Sequence, residues 1–339
     1  MNDKLRLTMR ENPNVSRRMP VLLTIAAAMT ASAIAVRYQT RKAERANPPQ
    51  GRFLEIEGVR LHYVERGDGA PLVLLHGNGT MIQDYELSGI VDMASQRYRV
   101  IVFDRPGYGH SSRPRRTIWH PVAQAHLVHK ALQQLGVEAA TVVGHSWGTS
   151  VALSLALEHP TDVKSLVLLS GYYFPTARFD VPVLSPPAIP IIGDLMRYTI
   201  SPLLGRLMWP GLVRLMFGPP RTPENFKAFP VWMSLRPSQL RAAAAESAMM
   251  IPAVLALRHR YRELAVPVTI VAGTRDRFAS AGAQSTRLHR ELPGSTLKLV
   301  PGMGHMIHHL APREVMAAID AATGPRSPMA TSLSGTSSV

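Results

Sequence analysis

TVVGHSWGTSVALSLALEHP, residues 141–160, sets Ser146 between a histidine and a tryptophan, with Gly144 and Gly148 on either side of that trio. The residues before Ser146 are small and β-branched; those after it are rich in Leu and Ala and helical in pattern. Strand, Gly-x-Ser-x-Gly, helix is the order of a nucleophile elbow, a sharp turn that lifts a serine hydroxyl out beyond the end of a strand. The pentapeptide alone is a weak signal. A serine hydroxyl is a poor nucleophile at its own pKa, so it needs a base to take its proton and a third group to orient that base.

The rest of the chain supplies both. Short apolar runs recur at 71–77, 98–104, 140–145, 163–171, 266–273 and 295–302, and helical patterns separate most of them, at 120–136, 147–160 and 312–322. Continuous apolar runs suit strands buried on both faces, and strand alternating with helix predicts a doubly wound, mostly parallel sheet. Ahead of these, RFLEIEGVRLHYVERGDG alternates apolar and polar residues around Gly58, which predicts a hairpin with one solvated face. In such sheets the site lies at the carboxyl ends of the strands. Ser146 follows one run, Asp276 (in TRDRF) another and His305 (in PGMGHMIHH) a third. His305 is preferred to His308 and His309 because it directly follows a Gly-Met-Gly turn; its neighbours read as surface or packing histidines. Asp104, in FDRPGYG, reads as the brace of its own turn. LLHGNGT (74–80) carries Gly77 and Gly79 after a strand, so the backbone N–H groups of Asn78 and Trp147 are the candidate oxyanion donors, with His76 bracing the turn. Gly144 and Gly148 permit tight turning and close packing.

Composition limits the alternatives. The 339 residues include no cysteine, which excludes disulfides, thiolate metal sites and a cysteine nucleophile. The net charge of +15 suits nucleic acid or an anionic membrane surface, but no nucleic-acid motif is present; the first reading is a basic solvated surface, and a membrane surface is the second. Residues 21–36, VLLTIAAAMTASAIAV, carry no charge and are flanked by Arg17, Arg18, Arg37, Arg41 and Lys42. This segment reads as a short uncleaved membrane anchor, with a signal-peptide core ending near Ala31-Ser32-Ala33, or an ordinary helix, as the other readings. Positive charge on both flanks leaves its orientation open. Residues 1–50 are therefore set outside the catalytic fold, with 41–51 as a polar linker, and 324–339 as a disordered tail. Residues 172–262 break the alternation with prolines and apolar helical pieces, and read as a helical insertion over the sheet.

Taken together, HGNG, FDRPGYGHS, GHSWG, GTRDRF and GMGHMIHH resemble the α/β-hydrolase fold family in order and spacing over residues 52–322. The resemblance implies an eight-stranded-type sheet with helices on both faces, a helical cap after the sixth strand, a Ser146–His305–Asp276 triad, and Asn78 and Trp147 as oxyanion hole. FDRPGYGHS and GHSWG are similar to the epoxide hydrolase and haloalkane dehalogenase branch, whose nucleophile is an aspartate. Ser146 departs from that branch, since serine attack on an epoxide leaves a stable ether. The resemblance thus implies acyl chemistry: hydrolysis of a carboxylic ester through an acyl-enzyme, with no metal or organic cofactor. C–C bond hydrolysis of a diketone-like substrate, perhydrolase activity and a non-catalytic binding protein are the other readings. The apolar insertion implies a hydrophobic small-molecule substrate. The expected partners are that substrate and a membrane; no nucleic-acid or obligate protein partner is expected.

Overall fold

A computed structural model describes residues 13–178 and 180–324, with side chains from residue 19; the predicted tail beyond residue 324 lies outside the described residues. Eight strands form one sheet: β1 (Arg52–Ile56), β2 (Val59–Arg66), β3 (Ala70–Leu75), β4 (Tyr98–Phe103), β5 (Ala140–His145), β6 (Val163–Leu169), β7 (Val268–Gly273) and β8 (Thr296–Val300), in the order β1-β2-β4-β3-β5-β6-β7-β8. β1 and β2 form the expected hairpin and β2 pairs antiparallel with β4; every later pairing is parallel. β3 to β7 are the Val/Leu/Ile runs, buried on both faces. Two strands differ from the sequence reading. β8 is an edge strand with little buried surface, because no further strand among the described residues covers it. β2 is buried almost throughout, because β1 and β4 flank it and His62 pairs with the buried Asp104, so only β1 presents the expected solvated face.

Helices cover both faces. α1 (Pro13–Ala46) precedes the sheet; α2 (Ile82–Leu87) and α3 (Ile90–Ala94) follow β3, α4 (Pro121–Gln134) follows β4 and α5 (Trp147–Glu158) follows β5. Between β6 and β7 run α6 (Val181–Leu184), α7 (Ile192–Tyr198), α8 (Ile200–Phe217), α9 (Val231–Ser234) and α10 (Pro237–Leu257), and the chain ends with α11 (Arg287–Glu291), α12 (Ile307–Leu310) and α13 (Pro312–Thr323). α4, α5 and α11 pack on one face, and α2, α3, α12 and α13 on the other. The sequence explains the difference between α4 and α5. α4 opens on Pro121 with His120 accepting from the Ala123 N–H, then buries the stripe Gln124, Ala125, Leu127, Val128, Ala131 and Leu132. α5 is apolar all round and buried from Trp147 to Ala156, because α4, α10 and the sheet enclose it.

The amino terminus departs most from expectation. The residues read as a polar linker continue the helix to Ala46, so α1 is one 34-residue element. Its second half packs on α7, α8 and α9. Val36 and Ala43 are buried there, Ser32 Oγ donates to the Thr199 carbonyl (2.8 Å), and Glu44 pairs with the buried Arg236 (3.1 Å). Val21, Leu22, Leu23 and Ile25, in its first half, stay exposed. The linker expected at 41–51 is helical as far as Ala46, where few of its apolar residues are buried: Val36 and Ala43 stand about two turns apart.

Candidate active site

The carboxyl ends of β3, β5, β7 and β8 meet beneath α8 and α10, around a cavity of about 320 Å³ lined mainly by apolar side chains. Ser146 sits at the end of β5 with φ 52° and ψ −117°, a strained conformation for a residue with a side chain. The turn is held from both sides: the Ser146 N–H donates to Leu169 O (2.9 Å), and Thr149 Oγ1 donates to Ser146 O (2.6 Å). The left-handed geometry falls on the serine, and the two glycines serve close approach instead. A Cβ on Gly148 would stand 2.2 Å from Leu75 O, and one on Gly144 would stand 2.6 Å from Gly148 O. The strand-to-helix turn therefore closes only with glycine at both places.

His305 and Asp276 come together from separate loops. His305 Nδ1 donates to Asp276 Oδ2 at 2.8 Å, while Asp276 Oδ1 accepts the Phe278 and Ala279 N–H groups at 2.8 and 2.9 Å. Both oxygens are thus committed, which fixes the carboxylate and through it the imidazole. The Phe278 ring packs 5.2 Å from the His305 ring. Ser146 and His305 line the same cavity. The direct contact among the three is His305 to Asp276; Ser146 shares the cavity lining with His305.

Asn78 and Trp147 line the cavity beside Ser146. Trp147 opens α5, where a helix N–H has no carbonyl one turn behind it. Gly77 lies so close that a Cβ there would be 3.2 Å from Ser146 Cβ, and Gly79 takes φ +79°. The arrangement brings a serine in a strained conformation, an oriented imidazole and the residues Asn78 and Trp147 to one largely apolar cavity.

Several residues that support this site escaped the sequence reading. Arg105, of FDRPGYG, is 1% exposed. Its Nε donates to His76 O (2.9 Å) and its Nη2 to Gly77 O (2.8 Å), so it grips the turn that carries Asn78. Its partner is Glu246, fully buried on α10, joined through Nη1–Oε1 at 2.5 Å and Nη2–Oε2 at 3.0 Å. Tyr108 Oη and Gln124 Nε2 also donate to that carboxylate, at 2.7 and 2.9 Å. Burial pushes the Arg105 pKa down, but Glu246 and Tyr108 outweigh it and raise it. The same helix holds Asn78, whose Nδ2 donates to Ala243 O and Ser247 Oγ, both at 3.1 Å. His76 braces the turn as expected: Nδ1 donates to Gly77 O and Nε2 accepts from Arg105 N (3.0 Å). Burial, then the Arg105 charge, push its pKa down to about 4.

His308 and His309 are packing histidines, but not surface ones. Both are buried against Asp84 of α2, with His309 Nε2 2.9 Å from Oδ1 and His308 Nε2 3.2 Å from Oδ2. Burial alone would raise the Asp84 pKa; the His308 and His309 imidazoles outweigh it and hold it well below the usual carboxylate range. His145 completes the cluster, donating from Nε2 to His305 O (3.2 Å) with its ring 4.3 Å from that of His308. One buried polar cluster therefore joins α2, the residue before Ser146 and the helix after His305. Asp104 also braces, accepting the Ile82 and His110 N–H groups at 2.9 Å each.

A family model described as alpha/beta hydrolase fold matches residues 70–312. Haloalkane dehalogenase 2 of Mycobacterium tuberculosis is 26% identical over 287 residues, covering 80% of this chain and 94% of the relative. The dihydrolipoyllysine-residue acetyltransferase component of the acetoin cleaving system of Cupriavidus necator is 37% identical over 123 residues; this is 36% of this chain, which spans only 32% of that relative. Among solved structures, a bacterial membrane phospholipase A superposes with a TM-score of 0.62 at 22% identity, covering 93% of this chain and all (100%) of the other.

Proposed function

The chain belongs to the α/β-hydrolase fold family and is a hydrolase, and from that premise we propose that it is a serine hydrolase of carboxylic esters that works through an acyl-enzyme. The observation that carries this reading is the His305–Asp276 hydrogen bond beside a serine in the strained elbow conformation. Ser146 Oγ attacks the ester carbonyl while His305 Nε2 takes its proton. Asp276 stabilises the imidazolium that forms, and the Asn78 and Trp147 N–H groups hold the oxyanion. His305 then protonates the leaving alcohol, and a water activated by the same imidazole releases the acid. The dehalogenase relative does not transfer its reaction here, because a serine in the nucleophile position cannot form the ester which that chemistry hydrolyses.

The substrate class follows from the cavity. Leu204, Met208, Leu212, Met250 and Val254 from α8 and α10 line it, so an apolar acyl or alcohol chain lies against these helices, which act as a cap over the sheet. The exposed apolar first half of α1 supports membrane anchoring. α10 also has the length and hydropathy of a membrane span, but it is half-buried and carries the Arg105 partner Glu246, which marks it as a core helix.

Labelling with a fluorophosphonate probe tests the mechanism. Wild type is labelled, and Ser146→Ala and His305→Ala are not, whereas p-nitrophenyl esters of rising chain length are cleaved increasingly well up to the length the cavity holds. A folded wild type that takes no label and cleaves no ester refutes the assignment.

A further inference from the structure

At the end of α5 remote from Ser146, four side chains with no part in the proposed reaction crowd together. His126 and His129 stand three residues apart on α4 and so share a face. His159 caps the carboxyl end of α5, and Asp162 ends the short 3₁₀ turn that follows it. His126 Nδ1 lies 2.7 Å from His159 Nε2, and His129 Nδ1 lies 2.5 Å from Asp162 Oδ2. The His129 and His159 rings are stacked, with centroids 3.7 Å apart and planes 6° from parallel. His129, His159 and Asp162 each bring a ligand atom within 4.8 Å of the other two. Asp162 is buried, His129 and His159 are half-buried and His126 is exposed, so the cluster opens to solvent.

We propose that this cluster binds a first-row divalent cation of the zinc(II) class, held by His129, His159 and Asp162, with His126 supporting His159 through their hydrogen bond. Two imidazoles and one carboxylate, with solvent in the remaining position, form a borderline donor set that suits zinc and is too poor in oxygen for magnesium or calcium. Zinc–nitrogen bonds of about 2.0–2.1 Å keep tetrahedral donors about 3.3 Å apart. The present contacts are shorter because protons bridge them. The cation displaces those protons, the contacts widen by less than about 1 Å, and the stacked rings fan open so that both lone pairs meet one point. The site ties α4 to the α5–β6 connection. It lies about 20 Å along α5 from Ser146, so its role is structural.

The test uses the untagged chain, stripped with EDTA and titrated with zinc chloride against a chromophoric chelator. Wild type takes up one ion per chain with a Kd at or below about 1 µM, and millimolar magnesium or calcium does not displace it. His129→Gln and His159→Asn abolish the saturable step, and exposed His126→Ala weakens it roughly tenfold. Zinc raises the unfolding temperature of wild type but not of His159→Asn. Ser146→Ala binds as wild type does, so the outcome is independent of the hydrolytic reading. No stoichiometric uptake by wild type overturns the proposal. So does uptake that is unchanged in folded His159→Asn and His126→Ala, which would place the ion elsewhere.

Discussion

Glu246→Gln tests how α10 and the turn that carries Asn78 depend on each other. The substitution keeps the shape of the side chain and an acceptor for Arg105, but removes the only carboxylate that meets this guanidinium among the described residues. Arg105 and Glu246 are 1% and 0% exposed, so water cannot replace the lost charge. Breaking one side of a buried pair costs about 3–5 kcal/mol, which lowers the melting temperature by on the order of 10 °C. On the proposed mechanism catalysis falls as well, since Arg105 donates to the His76 and Gly77 carbonyls of the turn that carries Asn78. A displaced rather than deleted oxyanion donor lowers kcat by about 10- to 100-fold, less than the 10²–10³ of outright removal. Urea unfolding and ester kinetics on the same preparation measure both. Replacing Arg105 and Glu246 together by Met recovers much of the stability, because no charge is then stranded, but none of the positioning. Glu246→Gln within about 0.5 kcal/mol of wild type and with unchanged kcat would show that the pair neither holds α10 nor shapes the turn.

Gly148→Ala places a methyl group 2.2 Å from Leu75 O, a clash with backbone; it costs about 3 kcal/mol or more in denaturant unfolding, and a smaller cost would mean that the elbow relaxes freely. Asp84→Asn lowers kcat while leaving KM near wild type, because Asp84 anchors the helix after His305 without touching the cavity; a change confined to KM would contradict that role. Acid sensitivity follows from His76. In the unfolded chain its imidazole takes up a proton near the ordinary 6.5, whereas in the fold it stays neutral down to about 4. The unfolded state therefore binds more protons in that window, and stability drops as pH falls through it, by about 3 kcal/mol from this group. Urea midpoints that are flat between pH 7 and 5 would refute it.

The sheet was legible because each central strand is a short run of Val, Leu and Ile bounded by Gly or Pro, and the candidate site because its members each follow such a run. The edges were less legible. β8 carries Lys298 and alternates where β7 does not, a sign of its exposure at the end of the strand order that an apolar-run reading passes over. The supporting residues were hidden for another reason: Arg105 and Glu246 lie 141 positions apart, and no local pattern links them. A signal did exist, since Glu246 is a lone acid in the run AAAAESAMM, where a buried carboxylate must find a partner. Likewise the His-His pair after His305 implied a buried acid nearby, but nothing in the sequence pointed to Asp84. α1 was misjudged because charge was taken as a sign of linker.

That last element has a mechanical consequence. At 34 residues it is about 50 Å long, and no loop divides the apolar stretch from the part seated on α7 to α9. A flexible leash would let the enzyme tumble beneath its attachment point. A continuous helix is a strut: were its first half held at a surface, the height and tilt of the cavity would be fixed relative to that surface, and torque on that half would be delivered to the helices that wall the cavity.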